Sequence, residues 1–247
     1  MKIILICIAT FSFKAFTADC IAHRGYLLNS VENSLDSIQN AIEAGADGIE
    51  FDIRHTKDGV PFLLHDSTLE RVVDQTDSSC PYKEKVKNLK WNEIVTNCRL
   101  KDGQELITLE SLLERTTFFT GSYFIELKDK PSSTFREVID SSGADFQKIR
   151  FISFRLKFLS VVRDFFPSIE SLRLSKFIPF LAWSRGMNVH YPLKPFSWLA
   201  RILGHENGVW TVNSLKKLIK YHKRKVDFIT TDELQLCLDA KEMSLKL

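Results

Sequence analysis

The sequence predicts an α/β protein, a closed parallel (β/α)8 or TIM barrel carrying a small insertion. Three observations predict it. Short apolar runs rich in β-formers alternate with longer segments of helical periodicity through most of the chain, the pattern of parallel strands with helices between them. Eight of these runs qualify as strands, the number that closes such a barrel. The length of 247 residues suits one α/β barrel domain, which commonly reaches roughly 250. An open doubly wound sheet is the alternative, but no Gly-rich phosphate turn follows the first strand.

Composition removes other classes. With 44% hydrophobic residues, 10 Gly and 7 Pro, the chain is neither collagen-like nor low-complexity, and it is too apolar for disorder. Five cysteines in 247 residues are too few for a disulfide mini-protein. A formal net charge of +3 gives no reason to expect nucleic acid as a partner.

Met1 to Ala18 precedes the first strand. Lys2 opens it, and Ile3 to Phe13 is an apolar run broken only by Thr10 and Ser12, long enough for a signal-peptide core and too short to cross a bilayer. Small residues at Ala15, Thr17 and Ala18 put cleavage near 18. Residues 1–18 are therefore expected to be a leader and 19–247 a single barrel domain of an exported protein, periplasmic or secreted. A buried first strand of a cytosolic protein is the competing reading, and Thr17-Ala18-Asp19 is a poor lead-in to a lipidated Cys20.

Cys20-Ile-Ala-His-Arg-Gly25 is a strand over 20–23 that ends in a loop. Val31, Leu35, Ile38, Ala41 and Ile42 then recur at helical spacing, with Asn33 or Ser34 as cap and Gly45 as stop. Gly48 to Ile53 is the second strand. Thr56-Lys-Asp-Gly59 is a hairpin turn, and Val60 to Leu64 is the arm that leads to His65-Asp66. The remaining strands are 123–127, 150–154, 170–174, 187–190, 208–212 and 228–230, with helical patterns such as Leu156 to Phe165 and Ser214 to Tyr221 between them. Ser67 to Gly121 breaks the repeat and reads as an insertion packed over the barrel mouth.

The leader holds Lys2, Lys14 and Cys7, so its removal leaves a net charge of +3 − 2 = +1 and four cysteines. Export permits disulfides. Cys80 and Cys98 flank a short segment and are the favoured pair among three connectivities with Cys20 and Cys237; four free thiols is the alternative. No C-x-x-C pair points to zinc. Residues 171–247 hold 13 Lys or Arg against 6 Asp or Glu, 13 − 6 = +7, much of it from Lys216, Lys217, Lys220, Lys223, Arg224 and Lys225. That patch and the aromatic stretch 192–203, with Phe196 and Trp198, allow weak contact with an anionic membrane surface. A solvated helix face and a packed loop are the structural alternatives.

Barrel active sites gather at the C-terminal ends of the strands, and the polar residues fall there. His23-Arg24 ends the first strand. Glu50 and Asp52 are two apart on the second, so both face one way. Glu126 and Lys128 repeat that spacing on the third, and His65-Asp66 closes the hairpin arm. Three inward carboxylates need a positive partner, and oxygen ligands suit one hard cation, Mg²⁺ or Ca²⁺. Two histidines supply acid and base. Arg24 and Lys128 complement an anion, with the guanidinium able to grip phosphate oxygens in pairs. The set reads as phosphodiester hydrolysis. Each residue alone has a structural reading, as a core histidine, a strand acid or a buried ion pair.

Taken in order, Ala22-His-Arg-Gly25, Glu32-Asn-Ser34, Gly45-Ala-Asp-Gly-Ile-Glu-Phe-Asp52, Thr56-Lys-Asp-Gly59, His65-Asp66, Ile125-Glu-Leu-Lys128, Ser153-Phe154, Trp210-Thr-Val-Asn213 and Thr230-Thr-Asp232 resemble the glycerophosphodiester phosphodiesterase family. The resemblance covers nearly all of residues 19–247. It implies a (β/α)8 barrel with an insertion after the third extended segment. It also implies Glu50, Asp52 and Glu126 as metal ligands, His23 and His65 as the acid/base pair, Arg24 and Lys128 as phosphate contacts, and Trp210 against the glycerol moiety. Three departures concern substrate choice: Val31 stands where many members have Pro, His55 where the residue is usually not ionisable, and Arg71-Val-Val73 where Arg-Thr-Thr is usual after His65-Asp66.

The first expectation is thus a metal-dependent hydrolase that converts small glycerophosphodiesters to sn-glycerol 3-phosphate and an alcohol. A lysophospholipase D-like or sphingomyelinase D-like enzyme, supported only by the stretch 192–203, is the second. A barrel that binds phosphodiesters without turnover is the third, and the intact histidine pair and carboxylate trio argue against it. Oligomeric state has no signature in the sequence.

Overall fold

The computed structural model describes residues 17–28, 30–175, 186–190, 205–224 and 226–246, with the backbone alone for 186–190. The expected leader, apart from Thr17 and Ala18, and the stretch 192–203 lie outside the described residues.

The strands are β1 (Asp19–His23), β2 (Gly48–His55), β3 (Pro61–Leu63), β4 (Ser122–Leu127), β5 (Ile149–Ser153), β6 (Glu170–Ser175), β7 (Gly186–His190), β8 (Glu206–Trp210) and β9 (Phe228–Thr231). The described helices are α1 (Leu35–Glu43), α2 (Trp91–Asn97), α3 (Leu109–Arg115), α4 (Ser133–Ser141), α5 (Leu156–Phe165), α6 (Leu215–His222) and α7 (Leu234–Leu245). Eight strands pair in parallel in the order β1-β2-β4-β5-β6-β7-β8-β9, and β9 returns to β1. The barrel expected from the sequence is present, with each of its eight strands. β3 stands outside the ring, antiparallel to the end of β2, with Ile53 opposite Leu63.

The period-2 alternation of strands explains both faces of this barrel. Ile21, Phe124, Ile152, Leu172, Leu174 and Phe228 point inward and pack as an interior cluster. Cys20, Ala22, Ile49, Phe51, Ile125 and Phe151 point outward and pack with helix residues such as Ile38, Phe135, Leu159 and Leu218. Near the strand ends the inward series turns polar, and the site is built there. Gly208 is required by this interior, since a Cβ would come within 1.9 Å of the Phe228 ring. β8 begins two residues before the expected 208–212, because the Asn207 backbone and side-chain amides both donate to Asp227 Oδ2 at 2.7 and 2.8 Å.

Ser34 caps α1, accepting from Ser37 N, which frees Asn33 for another task. The expected insertion divides. Residues from Leu64 to Leu106 supply nearly all of a second apolar cluster, with Leu69, Val72, Val73, Val86, Ile94 and Leu100 at its centre. Leu109, Leu112 and Leu113 of α3 instead belong to the main core, so α3 is the barrel helix that precedes β4.

Among the described residues two disulfides are formed. Cys80–Cys98 lies in the second cluster, with Cα atoms 4.9 Å apart. Cys20–Cys237 joins β1 to α7 across 217 residues, and His222 stands beside it with Nε2 3.2 Å from the Cys237 carbonyl. A bond closing so long a loop restricts the unfolded chain strongly. Replacing Cys20 and Cys237 by Ala is expected to cost about 2–5 kcal/mol, roughly 10 °C in Tm, in a calorimetric melt at neutral pH.

His55, at the end of β2, is 8% exposed. It packs edge-on to Phe135, with neither ring nitrogen hydrogen-bonded. Burial pushes its pKa below the ordinary 6.5, with Asp129 opposing weakly. His222 is lowered in the same way by burial. A histidine depressed in the folded state costs nothing above pH 6.5. Below it the unfolded chain takes up the proton first, so stability falls. His55→Leu removes this particular loss, so in urea melts the variant should gain stability relative to wild type on going from pH 7.5 to 5.5.

Candidate active site

β1 delivers His23 to the mouth, and Arg24 follows in a left-handed conformation, φ 57°. Gly25, φ 90°, completes the turn where a Cβ would meet Ser37 Oγ at 2.5 Å. This turn folds the chain back over β2, so that Arg24 N donates to Glu50 Oε2 at 3.0 Å.

Glu50, Asp52 and Glu126 are 2%, 0% and 6% exposed, and one oxygen from each lies within 4.8 Å of the others. The three form an acidic cluster that could hold a metal ion. Burial first, then neighbouring Asp52, pushes Glu50 and Glu126 above the usual carboxylate range. Burial would also raise Asp52, but Lys128 and Arg24 hold it below that range. Lys128 Nζ lies 2.6 Å from Glu126 Oε1 and 3.0 Å from Asp52 Oδ1, and Arg24 Nε lies 3.3 Å from Asp52 Oδ2. Asn33, freed from capping, grips Asp52 twice: its Nδ2 donates to Oδ2 at 2.9 Å and its Oδ1 accepts from Asp52 N at 3.0 Å.

Each histidine is backed by a carboxylate. His23 Nδ1 is 2.6 Å from Asp232 Oδ1, and Asn213 Nδ2 donates to the other Asp232 oxygen at 2.6 Å. Burial alone would lower His23, but Asp232 and Glu50 raise it overall. His65 Nδ1 is 2.7 Å from Asp66 Oδ1, and its carbonyl accepts from Arg54 Nε at 2.9 Å. Burial keeps its pKa low despite Asp52. With Nδ1 engaged in both, Nε2 is the nitrogen each ring has left for other work. The His23 Nε2 lies 3.9 Å from Glu50 Oε2.

These groups line a cavity of about 280 Å³. His23, Arg24, Glu50, His65, Glu126 and Lys128 form its ionic wall; Ile152, Phe154, Leu174 and Trp210 form its apolar one. Trp210 meets Phe154 edge-on at 5.3 Å between ring centres. All eight residues singled out in the sequence are thus brought to one place, with Asp52 bonded to its lining.

Residues 23–177 match the Glycerophosphoryl diester phosphodiesterase family. The chain belongs to that family. It is 47% identical over 60 residues to human glycerophosphodiester phosphodiesterase 1, a match that covers 24% of this chain and only 18% of that one. It is 27% identical over 234 residues to the YhdW protein of Bacillus subtilis, covering 86% of this chain and 93% of that one. Among solved structures, a glycerophosphodiester phosphodiesterase from Parabacteroides distasonis superposes with a TM-score of 0.77 at 25% identity, over 93% of this chain and 98% of that one. An Oleispira antarctica phosphodiesterase, solved with the product sn-glycerol-3-phosphate, gives 0.78 at 21% identity, over 92% and 98%.

Within the family pattern, the departures acquire physical content. Val31 has the N–H that Pro lacks, and it donates at 2.9 Å to Oδ2 of Asp102, an exposed residue in the 64–106 segment. Val72 and Val73 are buried in the second cluster. Sequence reasoning assigned no site role to Asp232, Asn213, Asp66, Asn33 or Arg54, and offered Asn33 only as a helix cap, a task that Ser34 performs. The first four stood inside quoted motifs, and their position at strand ends and loop starts was the available signal.

Proposed function

We propose that the chain hydrolyses glycerophosphodiesters to sn-glycerol 3-phosphate and an alcohol, using a divalent cation and two histidines. The observation that carries this is one cavity lined by Glu50 and Glu126 of the carboxylate trio, with Asp52 bonded behind them, together with two carboxylate-backed histidines, two cations and an apolar wall. The donor set fits a hard cation, Mg²⁺ or Ca²⁺: Glu50, Asp52 and Glu126 offer oxygen alone, and Glu50 Oε1 is buried with no hydrogen-bond partner. Such an ion, held by those three, polarises the phosphoryl group and offsets its charge.

The chain's own residues do the rest. Arg24 and Lys128 hold the non-bridging phosphate oxygens. Trp210 and its apolar neighbours pack against the glycerol carbons and keep the diester in one orientation. One histidine takes a proton from the attacking hydroxyl, and the other gives one to the departing alkoxide. The P–O bond to the alcohol breaks; overall, the hydroxyl of water ends on phosphorus and its proton on the alcohol. Asp232 and Asp66 fix the tautomers that make both transfers available.

Two disulfides, together with the apolar start of the sequence, support export to an oxidising compartment. The activity is tested by incubating purified protein with glycerophosphodiesters of different head groups, adding metals singly and measuring sn-glycerol 3-phosphate. Release that depends on an added cation is expected.

A further inference from the structure

We propose that Arg71 is a positioning residue for this reaction, a single guanidinium that aligns both the phosphate-gripping Arg24 and the histidine His65. The proposal rests on the function above, and its test includes a readout that does not. Arg71 spends its planar fork in two directions. Nη1 and Nη2 donate to the two oxygens of Glu32, both at 2.7 Å, while Nε donates to Asp66 Oδ2 at 2.6 Å. Glu32 Oε1 also accepts from Arg24 Nη1 at 3.0 Å, and Asp66 Oδ1 meets His65 Nδ1. The result is a chain of alternating charge, Arg24–Glu32–Arg71–Asp66–His65, with Arg71 at its middle.

Only an arginine can hold this place. Its five fixed donors satisfy two carboxylates at once in a defined plane, whereas a lysine ammonium is a point charge. Without Arg71, two carboxylates of like charge would stand beside each other, free to turn their partners.

Arg71 is itself held by the second cluster. Leu69, Val72 and Val73 around it are buried. Val72 N and Val73 N both bond to Leu69 O, and Val72 O accepts from Lys101 N at 3.0 Å. The Val31–Asp102 bond ties the loop that carries Glu32 to the segment that supplies this cluster. The 64–106 segment therefore acts as a clamp that presents one arginine to two halves of the site.

The test is steady-state kinetics on a water-soluble glycerophosphodiester at saturating divalent cation, beside calorimetric titration with sn-glycerol 3-phosphate and 15N NMR of the histidine rings. Arg71→Ala should raise KM and lower kcat, each by about tenfold or more, as loss of supporting hydrogen bonds around a site typically does. Glu32→Gln should act mainly on KM, through Arg24, and Asp66→Asn mainly on kcat, through His65. Arg71→Lys should recover only part of the loss. Arg71→Ala/Asp66→Asn should cost about as much as Arg71→Ala alone, because the two act as one unit. Lys87→Ala, an exposed change in the same segment, should alter nothing. The titration should show weaker binding, and the NMR a lost preference for one His65 tautomer, in Arg71→Ala even if the wild type turns over none of the diesters tried. Arg71→Ala with KM, kcat and His65 tautomer unchanged would overturn the proposal. So would losses in Arg71→Ala, Glu32→Gln and Asp66→Asn that follow their melting temperatures without the KM and kcat division.

Discussion

His23→Ala and His65→Ala should each lower kcat on glycerophosphodiesters by roughly 10²–10⁴-fold, with the far-ultraviolet spectrum and the melting cooperativity retained. Both rings lie at the cavity edge and make no part of the apolar core, so their removal leaves the barrel's packing as it is. Asp232→Asn should reproduce part of the His23 loss. An amide still fits the site, but Nδ1 no longer faces a full negative charge, and Asn213 donates to a weaker acceptor. A stopped assay for sn-glycerol 3-phosphate, run beside a thermal melt, checks all three. Full activity in either His→Ala variant would remove that histidine from the chemistry.

The second large effect concerns the carboxylate trio. Exhaustive chelation should silence the protein, and Mg²⁺ or Ca²⁺ should restore it. The same ion should raise Tm, since a ligand that binds only the folded state adds to stability. Glu50→Gln should separate the two consequences. Glu50 is buried against Asp52 and Glu126, and burial is the main reason its carboxyl is pushed upward. Its neutral isostere relieves that crowding, so metal-free Glu50→Gln should melt at a higher temperature than metal-free wild type. It should also lose the metal-induced rise and most of the activity. The site would then be one where stability is given up for function. Differential scanning fluorimetry with and without EDTA reads this directly. A Glu50→Gln protein that keeps the wild-type metal response would take Glu50 out of the ligand set.

What the sequence made legible follows from local rules. Glu50 with Asp52, and Glu126 with Lys128, are two apart on strands, and a strand of period 2 must put each pair on one face. The apolar run before each pair marked the strand, and the barrel put its end at the mouth. His65-Asp66 was readable because the Asp58-Gly59 turn fixes where the hairpin arm returns. The contacts that needed ring closure were not readable. Asp232 reaches His23 across 209 residues and Cys237 reaches Cys20 across 217, and no local pattern encodes either. Cys80 and Cys98 could be paired on proximity alone, since 18 residues separate them.

The insertion illustrates the other limit. Its boundaries were drawn where the strand–helix repeat failed, yet α3 has an ordinary amphipathic pattern and packs in the main core through Leu109, Leu112 and Leu113. A helix that follows a long irregular segment has no sequence mark saying which core it joins. Arg71 stood in the sequence beside a departure from the family pattern but was given no role, for the same reason. Its neighbours Glu32 and Asp66 are 39 and 5 residues away, and only the packing of Leu69, Val72 and Val73 turns it toward them. Val31, in contrast, was recognisable as a departure before its consequence was visible, since replacing a proline always restores an N–H that some acceptor can use.

The most direct test of the account is product release by the purified protein in the presence of Mg²⁺ or Ca²⁺, followed over time on glycerophosphocholine, glycerophosphoethanolamine and glycerophosphoglycerol. The account predicts sn-glycerol 3-phosphate and free alcohol in equal amounts, lost on chelation and lost in His23→Ala and His65→Ala. Tight binding of these diesters with no release under any metal, from a protein whose two disulfides and cooperative melt are intact, would contradict it.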